Sequence, residues 1–315
     1  MLVCLGSWGF LMHKTATKLA VYELPKKMQK FFVRNINSVV NNSIRPDIRR
    51  NTDFTEAPKH FIDLENYGDS SAWKMPLKWD DAVKIYTKDS LLKYGYVPYY
   101  VIVMKDNLAR AFREKNKDSI LFYAADMAHY IEDANVPLHT TNNYDGQLTN
   151  QTGIHALWES TVPEIELSNI NFYPKHHAIY LSHPEEAIWG AVRKAHSLLN
   201  EVFEEEKQVS KDFTDSTKYH LQKQRGKWVK KYSDEFAKAY AQVTKQMVNE
   251  RLIASANLVA DFWFTAWVDA GKPDLNNLIS PAWNKSDKKQ LKKDLKLFKT
   301  NKLIQPNQQA ARPTE

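Results

Sequence analysis

His129 and Asp133 stand four residues apart in the run Ala124-Ala125-Asp126-Met127-Ala128-His129-Tyr130-Ile131-Glu132-Asp133, and His155 and Glu159 repeat that spacing. An i, i+4 pair projects from one face of a helix, so an imidazole and a carboxylate so placed can reach one ion or two neighbouring ions. Between the pairs, Val136-Pro137-Leu138-His139 stops the first helix at a proline and turns His139 back over its end. A single histidine on a helix is ordinarily a core or surface residue. Five nitrogen and oxygen donors at these intervals read instead as a polynuclear zinc site.

Toward the N-terminus stand Trp8-Gly9-Phe10-Leu11-Met12-His13, Arg45-Pro46-Asp47-Ile48-Arg49-Arg50 and Glu56-Ala57-Pro58-Lys59-His60-Phe61-Ile62-Asp63. With Pro137-Leu138-His139-Thr140-Thr141 and Gly153-Ile154-His155-Ala156-Leu157-Trp158-Glu159, this ordered set resembles the superfamily of bacterial zinc-dependent phospholipases C and single-strand-specific zinc nucleases, from Trp8 to about Leu275. The resemblance implies an all-α enzyme, a single compact multi-helix domain holding three Zn2+ ions. It assigns Asp47, His60 and His129 to one ion, with Asp133 bridging to a neighbour, and His139, His155 and Glu159 to a second. A third would be held by His13, Asp133 and Trp8, the last through its carbonyl and a free α-amino group. Asp53 is a rival to Asp47, Asp63 either supports a ligand imidazole or caps a turn, and Arg49 and Arg50 read as solvated.

A tryptophan amine can ligate only when Trp8 begins the mature chain. Met1-Leu2-Val3-Cys4-Leu5-Gly6-Ser7 is apolar and ends in small residues, as a signal peptide does, yet is too short for a whole one. A truncated leader over residues 1–7, a helical hydrolase domain over 8–275 and a basic, partly disordered extension over 276–315 are therefore expected, with bacterial export to the periplasm or medium. The single cysteine, Cys4, falls in that leader, so the mature protein would hold no disulfide.

Of 315 residues 43% are hydrophobic, enough for a large core, and nine glycines are too few for a turn-rich sheet protein. No apolar run approaches the length needed to cross a bilayer. Helical patterning covers residues 9–23, 97–114, 118–134 and 184–206, and a long stretch from Ser233 that runs through Trp267 to Gly271 and Pro273. The loop 142–147 beside His139 is either a structural turn or a substrate contact. The net charge of +7 includes a lysine cluster over 285–296, which reads as a solvated helix with Leu291, Leu295 and Leu297 packed inward, or as a contact for nucleic acid or anionic lipid.

Clustered zinc would ionise a bridging water against phosphorus and neutralise the phosphate oxygens, so no serine or cysteine nucleophile is needed. Asp47 and Asp133 are the candidate catalytic carboxylates, Asp47 as ligand first and proton acceptor second. Glu159, where the superfamily's nucleases generally have aspartate, favours the phospholipase C branch and a phospholipid substrate at a membrane surface. The alternatives are an exported nuclease for single-stranded nucleic acid and a noncatalytic protein stabilised by metal. Manganese or iron could use the same donors. A monomer without a protein partner is expected.

Overall fold

The computed structural model describes residues 9–304 except Pro174 and Arg225. Trp8, the expected leader over residues 1–7 and the segment beyond residue 304 lie outside the described residues. As the sequence predicts, the fold is all-α, apart from one antiparallel hairpin, Tyr219–Gln224 paired with Lys227–Tyr232.

The core is organised on the helix Asp234–Asp269, whose 36 residues span about 54 Å at 1.5 Å per residue. Ser233 starts it by accepting a hydrogen bond from the Phe236 amide, and Asp234 and Glu235 complement the positive end of the dipole. Phe236, Tyr240, Val248, Leu252, Val259, Phe262, Trp263 and Ala266 are buried along it. Against it pack Phe10–Glu23, Val97–Arg113 and Lys117–Asp133. The last two are joined through Glu114–Asn116 and lie as neighbours, as a short helix connection requires. Ala124, Ala125 and Ala128 keep the buried side of the Lys117–Asp133 helix slim, and the Trp263 indole N–H donates to the Ala124 carbonyl at 3.0 Å.

The expected helix over 184–206 is two helices, Pro184–Ser197 and Leu199–Ser210. The short helices Lys26–Arg34, Ile36–Asn42, Arg45–Arg49, Trp79–Tyr86 and Lys88–Tyr94 carry too few turns for their periodicity to stand out in the sequence. Lys285–Lys299 is helical, with Leu291, Leu295 and Leu297 turned toward the core, Phe298 buried and Asp287 paired to Arg34 at 2.5 Å. Among the described residues no helix is long and apolar enough to cross a membrane.

Candidate metal centre

The Lys117–Asp133 helix delivers its last two turns to the centre of the molecule, with His129 and Asp133 fully buried. A carboxylate at the C-terminal end of a helix faces the negative end of the dipole, so Asp133 calls for positive charge nearby. It meets imidazoles on all sides. Its Oδ2 lies 2.9 Å from His60 Nδ1 and 3.2 Å from His129 Nε2, and its Oδ1 lies 3.5 Å from His139 Nδ1 and 3.6 Å from His13 Nε2.

His60 reaches this point from a short turn, Ala57–Lys59, that is stitched in place from both sides. The Tyr96 amide donates to the Pro58 carbonyl and the Val97 amide to the Phe61 carbonyl, while Gly95, at φ +87°, passes so near that a Cβ there would lie 2.3 Å from the Phe61 carbonyl oxygen. Only glycine fits that approach. The Ile62 amide donates to the His139 carbonyl, and His139 Nδ1–H returns a bond to the His60 carbonyl at 2.9 Å. The Ile62 amide and the His139 ring therefore tie the two histidine-bearing segments together.

His155 and Glu159 follow from the Gln151–Gly153 turn. Asp145 Oδ1 accepts the Gly153 amide at 3.1 Å, and the Asn143 side chain binds the Leu148 amide and the Thr149 hydroxyl. These bonds give the 142–147 loop its structural role. Beyond His155, residues Leu157–Thr161 wind as a π-turn. Pro163 has no amide proton to give to the Glu159 carbonyl four residues back. That carbonyl accepts instead from the Gly9 amide at 3.1 Å, tying the start of the first helix to the centre.

The imidazoles are aimed by their outer nitrogens. His129 Nδ1–H donates to the Ser43 carbonyl at 2.8 Å, His155 Nδ1–H to the Tyr144 carbonyl at 3.0 Å, and His139 Nδ1–H to the His60 carbonyl. A carbonyl can only accept, so these tautomers are fixed and each Nε2 presents a lone pair inward. The lone pairs of His139 and His155 face each other at 3.3 Å beside Glu159, whose Oε2 is 3.0 Å from His155 Nε2. Both carboxylate oxygens of Glu159 and of Asp47 are buried without a hydrogen bond. Donors that converge lone pairs and unsatisfied carboxylates at such distances fit a cation.

Three sets bring their donor atoms within 4.8 Å of one another: His13, Asp47 and His129; His60, His129 and Asp133; and His139, His155 and Glu159. Eight of the nine residues expected from the sequence thus converge, the ninth, Trp8, lying outside the described residues. Asp47 Oδ1 stands 3.7 Å from both His60 Nδ1 and His129 Nε2. Its rival Asp53 turns away to bind the Thr55 amide and hydroxyl.

Burial lowers His155 and raises Glu159 to about 8, so both tend to the neutral form without a cation. Burial acts downward on His129 too, but Asp133 and Asp47 outweigh it and raise it to about 9. His13 is held well below the ordinary imidazole range by burial and by His129.

Several supporting residues escaped the sequence reading. Glu132 Oε2 lies 2.5 Å from His13 Nδ1, and Thr17 donates to its other oxygen at 2.9 Å, which turns His13 Nε2 toward Asp133. Glu56 lies 3.5 Å from His60 Nε2 and accepts from Arg49, Lys59 and Tyr130. Burial alone would raise Glu56, but His60, Arg49, Lys59 and Tyr130 together hold it well below the carboxylate range. Arg49 is accordingly no solvated residue: it bridges Glu56, Asp126 and Tyr130. The sequence signal for Glu56 is its i, i+4 spacing to His60. Asp63 caps no turn with its side chain.

No family model and no curated protein matches the chain. Parts of two clostridial toxins resemble it. Alpha toxin from Clostridium absonum is 13% identical over 81% of this chain and 63% of its own, with a TM-score of 0.46. Alpha-toxin of Clostridium perfringens from an avian strain is 13% identical over 81% of this chain and 64% of its own, with a TM-score of 0.42. The chain spans less than two thirds of the length of either toxin.

Proposed function

We propose that this chain is a zinc-dependent phosphodiester hydrolase of the phospholipase C type, acting on phospholipid head groups. The observation that carries the reading is the approach of His13, His60, His129 and His139 to within 3.6 Å of Asp133, with the Nε2 lone pairs of His139 and His155 turned toward each other, beside two buried carboxylates that lack hydrogen bonds. Asp47, His60, His129 and Asp133 would hold one ion, His139, His155 and Glu159 a second, and His13 with Asp133 a third. Bound zinc supplies Lewis acidity toward phosphate oxygens and lowers the pKa of water.

The protein's own residues prepare that chemistry. Asp133 offers one oxygen to the His60 and His129 side and the other to the His13 and His139 side, the disposition a bridging carboxylate needs. Asp47 sits on the short helix Arg45–Arg49 with two oxygens that accept no hydrogen bond, suited to hold a metal and to accept a proton from an attacking water. Arg50 Nη1, 3.7 Å from Asp47 Oδ1, adds positive charge near the place a phosphate would approach. The supporting carbonyls of Ser43, His60 and Tyr144 keep the imidazoles oriented before any ligand arrives.

Glu159 and its surrounding sequence favour phospholipid over nucleic acid. Zinc-loaded protein assayed in parallel on phosphatidylcholine and on a single-stranded oligonucleotide should release a phosphorylated head group from the lipid and leave the oligonucleotide intact. Cleavage of the oligonucleotide alone would transfer the site to the nuclease branch, and cleavage of neither would remove the enzymatic reading.

A further inference from the structure

The hairpin Tyr219–Gln224/Lys227–Tyr232 is the one sheet among the described residues, and nothing in the metal centre uses its exposed part. Its base is anchored. Tyr219 and Tyr232 pair with ring centroids 4.9 Å apart, Tyr232 stacks on Phe236, and the Tyr232 hydroxyl donates to the Gln151 carbonyl at 3.1 Å and to Glu206 at 2.9 Å. The Tyr232 ring also lies against Gly153, two residues before His155.

Beyond that base, residues directly opposite share a face. Leu221 pairs with Lys230 and Lys223 with Trp228, so Leu221 and Trp228 form one diagonal of a square and Lys223 and Lys230 the other. Leu221 is 65% exposed and Trp228 67%. Lys230 rests over the Tyr219 ring and lies 3.9 Å from Asp215, a loose pair with a highly exposed carboxylate. Between Tyr219 and Tyr232 the sequence contains no aspartate or glutamate, and Lys231 adds a cation on the opposite face.

An indole and an aliphatic side chain raised to solvent between ammonium groups match the boundary of a bilayer. Tryptophan settles at the level of the head groups, leucine enters the acyl region, and lysine pairs with anionic lipid. Single-stranded nucleic acid would use the tryptophan and the lysines but has no place for the leucine. We propose that the exposed face of this hairpin, Leu221, Lys223, Trp228 and Lys230, docks the protein on an anionic membrane, from an anchor beside the turn that carries His155. The inference goes beyond the hydrolytic reading, because it concerns adsorption and is measured without turnover.

The test uses the full-length, zinc-loaded chain and lipid analogues in which a methylene replaces the oxygen between glycerol and phosphorus, so that lipid composition stays constant. The chain is sedimented with mixed phosphatidylcholine–phosphatidylserine vesicles and with phosphatidylcholine alone, and titrated with a single-stranded oligonucleotide. Binding should favour the mixed vesicles. Each interfacial lysine strengthens binding about fivefold, so Lys223→Gln with Lys230→Gln should weaken it about thirtyfold. Leu221→Ser with Trp228→Ser should weaken it at least about tenfold, with zinc content and helical circular dichroism unchanged. Absence of binding to mixed vesicles, or binding by both double variants as tight as that of the parent chain, would overturn the proposal. Loss of oligonucleotide binding in these variants with vesicle binding intact would reassign the face to nucleic acid.

Discussion

Asp133→Asn is the perturbation on which the metal centre turns. The substitution keeps the shape of the side chain and removes its charge, at a fully buried position 2.9 to 3.6 Å from nitrogens of four histidines. Asp133 belongs to the His60, His129 and Asp133 set and, in the proposed assignment, also serves the ion beside His13, whereas His139, His155 and Glu159 form a set without it. In metal-free protein the new amide can donate to the lone pairs of His60 or His129, so stability should change by no more than about 1–3 kcal/mol. In zinc-loaded protein the loss is larger. An ion present at a hundred times its dissociation constant stabilises the folded state by about 2.7 kcal/mol, so losing two removes about 5 kcal/mol. Metal analysis after gel filtration, with denaturant unfolding with and without zinc, reads both quantities. One ion per chain and a collapsed zinc-dependent stabilisation are expected. Three ions at wild-type affinity would refute the bridging role of Asp133.

Glu132→Ala should free His13 to rotate and weaken the ion beside it about 10- to 100-fold in a competitive chelator titration, while the ion at His139, His155 and Glu159 is retained. Gly9→Ala brings a Cβ to 2.7 Å from Ser160 Oγ and 3.2 Å from its Cα, so thermal unfolding should report a loss of about 1–3 kcal/mol, relieved in part by Ser160→Gly. Burial, with Glu65, raises Asp63 to about 7. The folded state therefore keeps a proton that the unfolded state has released between about pH 4 and 7, so this group makes stability fall across that window and adds no slope above it. Asp63→Asn should flatten the decline, with a gain above pH 7 of up to about 4 kcal/mol at the full shift and less where water reaches the group. A pH series of denaturant midpoints checks the sign, and a gain confined to acid pH would contradict it.

The parts of this molecule that are local in sequence are the ones a reader of the sequence can see. His129 with Asp133 and His155 with Glu159 are visible because a helix repeats every 3.6 residues, and Ser233 and Pro184 mark helix starts by their chemistry. His13, Asp47 and His60 have no such local mark, and their assignment depended on the order of motifs along the chain. Glu132 and His13 meet across 119 residues, a pairing fixed only when two helices dock. The hairpin escaped because its alternation is hidden among lysines, and beyond the buried base at Tyr232 its large apolar residues, Leu221 and Trp228, face solvent rather than a core. Its signal was Gly226, at φ +78°, between two stretches flanked by tyrosine. Arg49 looked like surface charge because its buried partners, Glu56 and Asp126, lie on other elements.

The central claim is that these histidines and carboxylates form one multinuclear zinc centre. Anomalous diffraction from zinc-loaded crystals, collected on both sides of the zinc absorption edge, tests it most directly. The account predicts three edge-dependent peaks, one beside His13 and Asp133, one among Asp47, His60, His129 and Asp133, and one among His139, His155 and Glu159. Density maps that place zinc elsewhere, or leave these donors joined only by protons, would contradict it.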